Sequence, residues 1–186
     1  MAARVRQISR AIVAAAVGAA LVASGCGVAA RNAPPVTFPP QSFGPAQTIG
    51  PAGNATLSAV SAALGARSLQ VQAPQIPFRP AEAGSFAAAP RAVLQVVLPE
   101  DPDHGFISVY QFPDAAAAAQ AAAEQATYLA SGPGRVQFPL DTRFVLRRLG
   151  ATVVFYAWSP ATSPDRRTSG IQDALETLGT RVDVPR

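Results

Sequence analysis

The spacing of hydrophobic positions predicts a mixture of helices and strands over residues 54–186. The first helix is expected to begin at Asn54, whose side chain can accept a hydrogen bond from a free N–H group of the first turn. Val60 and Leu64 then recur at helical spacing. Gly65 follows, and glycine often ends a helix because it adopts the conformation of the C-terminal cap without strain.

Three strand-like segments come next, because apolar and polar residues alternate there between turn residues. They are residues 68–78, 92–98 and 106–112, and prolines interrupt the first of them. A short polar turn that ends at Gly105 separates the last two. Such a connection predicts an antiparallel hairpin.

A helix and a second strand pair follow. Asp114 is expected to cap an alanine-rich helix that reaches Leu129 and stops before Gly132. Residues 136–146 and 151–158 are predicted to pair as strands, and the second of them is apolar almost throughout. This composition is typical of a central strand that is covered on both faces.

The last helix is predicted from Ser169 to Gly179, with Gln172 placed as in a capping box. The complete order of elements is α-β-β-β-α-β-β-α. Helices and neighbouring strands in this order predict an α+β fold, in which helices pack on a mostly antiparallel sheet.

Composition narrows the chemistry that this chain can carry. Its 186 residues include one cysteine and one histidine, which excludes a disulfide framework and the usual zinc ligand sets. No glycine-rich phosphate-binding motif occurs. The sequence therefore predicts no cofactor, no metal site and no enzymatic activity.

The net charge of +4 does not indicate a nucleic acid partner. Three of the 15 basic residues, Arg4, Arg6 and Arg10, precede an apolar run at the N-terminus. The other 12 arginines face 11 acidic residues. The body of the chain is thus nearly neutral and lacks the basic surface that binds a polyanion.

The N-terminus has the pattern of an export signal, in which a basic segment precedes an apolar stretch over residues 11–23. Residues 21–26, with the sequence LVASGC, resemble a bacterial lipobox, although Ala23 stands where leucine is usual. The resemblance implies that residues 1–25 are a lipoprotein signal peptide. It also implies that lipid on Cys26 anchors the protein in the cell membrane, on the extracytoplasmic face.

Two other interpretations of this segment are open. Cleavage after Ala30 would release a secreted soluble domain, since residues 28–30 resemble a signal peptidase site. Residues 11–30 carry no charge and are long enough to span a membrane as an uncleaved helix. The lipid anchor is favoured because the only cysteine of the chain lies at the lipidation position.

Prolines and glycines predict a tether over residues 26–53, followed by a single α+β domain over residues 54–186. From Leu57 to Gly179 the chain is similar to a group of small, uncharacterised bacterial lipoproteins. The shared features are a helix that ends Ala-Leu-Gly-Ala, an alanine-rich helix, and the segments 107–113 and 143–150. The resemblance implies an envelope lipoprotein and supplies no catalytic residue.

Aromatic side chains on the predicted strands form a candidate binding face if helices cover only one side of the sheet. These residues are Tyr110, Phe112, Phe144, Tyr156 and Trp158. The alternative is that they belong to the core, where aromatic residues at strand spacing more often lie.

Arg143, Arg147 and Arg148 are candidate anion contacts, because the guanidinium group suits carboxylates and phosphates. The alternative is that they keep the edge of a hairpin solvated. His104 lies in an acidic turn that we interpret as a solvated turn, neither a calcium loop nor a catalytic site.

Together these features predict a non-catalytic binding or interaction module with an unknown protein partner or a small apolar ligand. The alternatives are a structural or assembly role in the cell envelope and a secreted soluble binding domain. An exposed aromatic face or a pocket would favour the binding module.

Overall fold

The computed structural model describes residues 48–185. The predicted signal peptide, Cys26 and most of the predicted tether lie outside the described residues. The helices are α1 (Pro51–Gly65), α2 (Gly84–Ala88), α3 (Ala115–Ala130), α4 (Gly132–Arg135) and α5 (Arg167–Glu176). The strands are β1 (Val71–Gln72), β2 (Arg91–Val96), β3 (Phe106–Gln111), β4 (Arg143–Leu149), β5 (Thr152–Trp158) and β6 (Thr180–Arg181). The described residues all belong to one compact unit.

The described strands form one six-stranded sheet in the order β1-β2-β3-β5-β4-β6, and every neighbouring pair is antiparallel. The predicted hairpin is confirmed as β2 and β3, with Val93 opposite Ser108. The apolar strand β5 lies between β3 and β4, as its composition predicts. The α+β class is therefore confirmed, with α2, α4 and β6 in addition to the predicted elements.

Helices cover both faces of this sheet. Alternate residues of β3 point to opposite sides, so Val109 packs with α1 and α5 while Tyr110 packs with α2 and α3. The alanines of α3 allow its backbone to approach the sheet closely, and Ala118 and Ala122 are fully buried. A sheet covered on both sides leaves no broad apolar face free for a ligand.

The first helix begins three residues before the predicted start. Its N-terminal cap is Gly50 and Pro51 occupies the first turn, where a missing N–H group costs nothing. The side-chain Oε1 of Gln111 accepts hydrogen bonds from the N–H groups of Gly50 at 2.7 Å and Gly53 at 3.0 Å. Asn54 lies inside the helix, so the domain starts before residue 54.

Three other element boundaries differ from the prediction. The first predicted strand is reduced to β1, because prolines interrupt the rest of it. Strand β4 begins only at Arg143, and residues 136–142 form a loop. Helix α5 begins at Arg167 rather than Ser169, and its first N–H group donates to Oδ1 of Asp165 at 2.9 Å. Gln172 is not part of a capping box; it accepts a hydrogen bond from Nε1 of Trp158 at 2.8 Å.

Candidate functional site

The five aromatic residues predicted as a binding face do not share a face. Tyr110 and Phe112 lie in the core under α2 and α3, with Phe144 packed against that cluster. Tyr156 and Trp158 lie on the other side of the sheet, under α1 and α5. All of them except Phe144 are at most 9% exposed. The prediction of a shared binding face is wrong, because helices cover both sides of the sheet.

The hydroxyl groups of the two deepest tyrosines are satisfied within the core. Tyr110 donates a hydrogen bond of 2.7 Å to Oε1 of Glu82, and Tyr156 donates a longer one of 3.4 Å to the carbonyl of Thr168. Burial raises the pKa of both hydroxyls well above the ordinary value, and the nearby carboxylates of Glu82 and Asp101 add to the respective shifts. Both groups therefore serve packing rather than ligand binding.

The alternation of β4 places two of the three candidate anion-binding arginines, Arg143 and Arg147, on one side of the sheet and Arg148 on the other. Arg147 is buried and donates to the carbonyls of Leu178 at 2.6 Å and Gly179 at 2.9 Å, so it holds the segment after α5. Only Arg143 is exposed, with its guanidinium carbon 5.2 Å from the ring centroid of Trp158. The three residues therefore do not form one anion site.

A cleft of about 600 Å³ lies along the outer edge of β4. We refer to it as the β4-edge cleft. Its lining includes Arg135, Leu140, Arg143, Phe144, Arg181 and Val182. Arg147 lines the cleft as well, so sequence reasoning identified Arg143, Phe144 and Arg147 and missed residues 135, 140, 181 and 182. Pro139 could have indicated that Leu140 lies in a loop, because a proline argues against a continuous strand from residue 136.

The cleft exists because β4 is longer than its outer neighbour. Strand β6 pairs with β4 only at Arg147 and Arg148. The N–H group of Val182 still donates to the carbonyl of Leu146 at 2.9 Å, and after it the chain leaves the ladder and lines the cleft. Among the described residues, the first half of β4 has no strand partner on this edge.

The rim of the cleft is positively charged. Arg135 and Arg143 have no carboxylate within 4.0 Å among the described residues, whereas Arg181 pairs with Asp183 at 2.6 Å. Both carboxylate oxygens of Asp141 are occupied, by the hydroxyl of Ser159 at 2.6 Å and the N–H group of Ala161 at 2.8 Å. These two hydrogen bonds, with a smaller contribution from Arg143, hold the pKa of Asp141 below its ordinary value. The carboxylate is therefore held in place by the protein, but it stays exposed and lines the cleft.

His104 is half-exposed and its Nδ1 contacts the buried carboxylate of Asp101. A carboxylate in this position can orient an imidazole for catalysis. However, no hydroxyl or thiol group of the described residues is hydrogen-bonded to this histidine. Residues 48–185 also contain no cluster of three or more histidine, cysteine, aspartate or glutamate side chains that would hold a metal ion.

Comparisons with family models, curated proteins and solved structures find no match to this chain. The similarity to bacterial lipoproteins therefore stays a prediction. Within the described residues, no helix combines the length and the apolar character needed to cross a membrane.

Proposed function

We propose that this protein is a lipid-anchored, non-catalytic binding module on the extracytoplasmic face of a membrane, and that it binds an anionic group in the β4-edge cleft. The binding part of the proposal depends on one observation. Arg135 and Arg143 lie on the rim of an open cleft without carboxylate partners among the described residues. Arginine pairs well with carboxylates and phosphates, so such side chains are suited to an incoming anion.

The lining of the cleft also narrows the class of ligand. Sites for small apolar ligands are mainly hydrophobic and enclose most of the ligand surface. Here four arginines, Asp141, Gln172 and Glu176 are part of the lining, beside apolar side chains such as Phe144 and Val182. This mixture favours an anionic or amphiphilic ligand over the wholly apolar ligand that the sequence left open.

The anchor is supported by the sequence alone. A basic segment, a short apolar stretch and small residues lead to Cys26, which is the only cysteine of the chain. Acylation of Cys26 with two or three chains would give stable attachment, which a single chain does not. The prolines of the predicted tether would then separate the domain from the lipid.

Replacing Cys26 with alanine is expected to abolish acylation and to remove the processed chain from the membrane fraction. Intact mass measurement of the membrane and soluble fractions tests this. The native protein should begin at Cys26 and carry the added acyl mass. The control Ser24→Ala should give the same mass and the same membrane location, since serine and alanine are both small. A native chain that is soluble, unacylated and begins near Arg31 would contradict the anchor.

Replacing Arg143 with glutamate is expected to weaken anion binding in the cleft by roughly tenfold or more, because a charge-assisted contact is replaced by repulsion. Residues 42–186 are titrated with inorganic phosphate and with N-acetylglutamate while backbone amide NMR signals are followed. The signals of residues 143–146 should shift in the native domain.

Arg166 provides the matched control, because it is an exposed arginine in the loop before α5 and does not line the cleft. Arg166→Glu should therefore leave the titration unchanged. If neither probe shifts the signals of residues 143–146, or if both variants bind equally well, the proposed anion site is wrong.

A further inference from the structure

The loop over residues 136–142, whose last three residues line the β4-edge cleft, carries unusually exposed apolar side chains. Val136 is 83% exposed and Leu140 is 90% exposed. Among the described residues, the one other large hydrophobic residue in this class is Ile76, which is 51% exposed and lies elsewhere. Isolated exposed apolar residues are common, but two on one short loop indicate a contact surface.

These two side chains project from a loop that its neighbours hold in place. Phe138 packs edge-on against Phe144, with ring centroids 5.0 Å apart and an interplanar angle of 87°. The side-chain amide of Gln137 donates to the hydroxyl of Tyr128 at 2.7 Å and to the carbonyl of Pro133 at 3.1 Å. At the other end of the loop, Asp141 accepts the hydrogen bonds from residues 159 and 161. The exposure of Val136 and Leu140 is thus a feature of a structured loop.

Charge distinguishes this surface from a general apolar patch. Arg135 immediately precedes the loop and Arg143 immediately follows it, and both side chains are exposed. The one carboxylate between them, Asp141, has both oxygens bonded to residues 159 and 161. Asp141 is itself exposed, so the outward surface combines two apolar tips and two cationic groups with one negative charge that residues 159 and 161 already bind. Apolar tips flanked by cationic groups are the combination that suits an anionic membrane interface.

We infer that this loop rests on an anionic phospholipid surface, with Val136 and Leu140 entering the headgroup region and Arg135 and Arg143 contacting lipid phosphates. The inference rests on the proposed function, because it names lipid phosphate as the anionic group bound at the cleft. An acidic segment of a partner protein is the competing source of that anion. Contact through the loop would orient the domain on the membrane that holds its anchor.

Co-sedimentation of residues 42–186 with lipid vesicles tests the inference without the acyl chains. One set of vesicles contains phosphatidylcholine alone and the other contains phosphatidylcholine with phosphatidylglycerol. Binding is expected only to the second set and should weaken as salt is added, because salt screens the arginine–phosphate attraction. A circular dichroism spectrum and a cooperative thermal transition first establish that each variant is folded.

Two double variants separate the apolar and the charged contributions. The apolar variant combines Val136→Ser with Leu140→Ser and should bind vesicles less tightly. The charge variant combines Arg135→Gln with Arg143→Gln and should lose roughly fivefold in vesicle binding for each arginine removed. The matched controls Ile76→Ser and Arg166→Gln change an exposed apolar residue and an exposed arginine outside the loop. They should bind like the native domain.

The outcomes distinguish this inference from the proposed function. Equal binding to both kinds of vesicle, or serine variants that bind as well as the native domain, would overturn the lipid contact. If phosphate and N-acetylglutamate still shift residues 143–146 while no vesicle is bound, the cleft binds anions but not a membrane, and a protein partner is favoured. If the native domain binds neither the small anions nor the vesicles, both the lipid contact and the proposed anion site are wrong.

Discussion

Replacing Glu82 with alanine is expected to lower the free energy of unfolding by about 2–3 kcal/mol, the range for losing hydrogen bonds to a charged group and leaving a buried donor unpaired. The side chain of Glu82 is only 3% exposed. Its Oε1 accepts hydrogen bonds from the hydroxyl of Tyr110 at 2.7 Å and from Nη1 of Arg91 at 2.5 Å. Its Oε2 accepts from Nε of Arg79 at 2.7 Å. Alanine would remove the shared acceptor and leave the tyrosine hydroxyl buried without a partner.

The measurement is urea unfolding of residues 42–186, and α3 offers a matched control. Glu124 is an exposed glutamate, so Glu124→Ala should change the stability by no more than about 0.5 kcal/mol. Glu82→Gln keeps an acceptor for Tyr110 but loses the negative charge. Its loss of stability should therefore lie between those of Glu82→Ala and Glu124→Ala. If Glu82→Ala were as stable as Glu124→Ala, the buried network would not stabilise the fold.

Replacing Gly179 with alanine is expected to cost about 3 kcal/mol or more, because two penalties add. Gly179 has φ +47°, in the left-handed region that disfavours side chains. A Cβ atom there would also lie 2.2 Å from the carbonyl oxygen of Arg148, which is backbone and cannot rotate away. The backbone between α5 and β6 would have to move. That movement would disturb the carbonyls of Leu178 and Gly179 that Arg147 binds.

Gly150 is the matched control, because a side chain there has the unfavourable positive φ but no steric clash. Its φ is +56°, but a Cβ atom at this position meets no atom within 4 Å. Gly150→Ala should therefore lose only about 1–2 kcal/mol in the same unfolding experiment. Equal losses for the two variants would show that the turn after α5 adjusts freely to a side chain at residue 179.

Some features of the fold could be predicted because they depend on residues close together in the chain. Asp114 was expected to cap the alanine-rich helix, and its carboxylate accepts a hydrogen bond from the N–H group of Ala117 at 2.8 Å. The alternation in β2 and β3 predicted their pairing, and the apolar run of β5 predicted its central place. In each case the local pattern and the tertiary structure favour the same conformation.

The functional residues were less predictable. The sequence does not distinguish the three arginines of β4. In the structure Arg143 is exposed, Arg147 is buried against the carbonyls after α5, and Arg148 lies on the other face of the sheet. Val136 and Leu140 fall within the strand that the sequence predicts over residues 136–146. The strand begins only at Arg143, and both side chains are exposed in the loop before it.

The sequence by itself determined the α+β class, the order of the main elements and the export pattern that leads to Cys26. Only the tertiary structure decided that helices cover both faces of the sheet, that Glu82 joins Tyr110 across 28 residues, and that β6 is too short to cover the edge of β4. The physical reason is the range of the interactions. Turns, caps and periodicity are set by neighbours within a few residues, whereas the cleft, the buried charge network and the exposed loop depend on segments that meet only when the chain is folded.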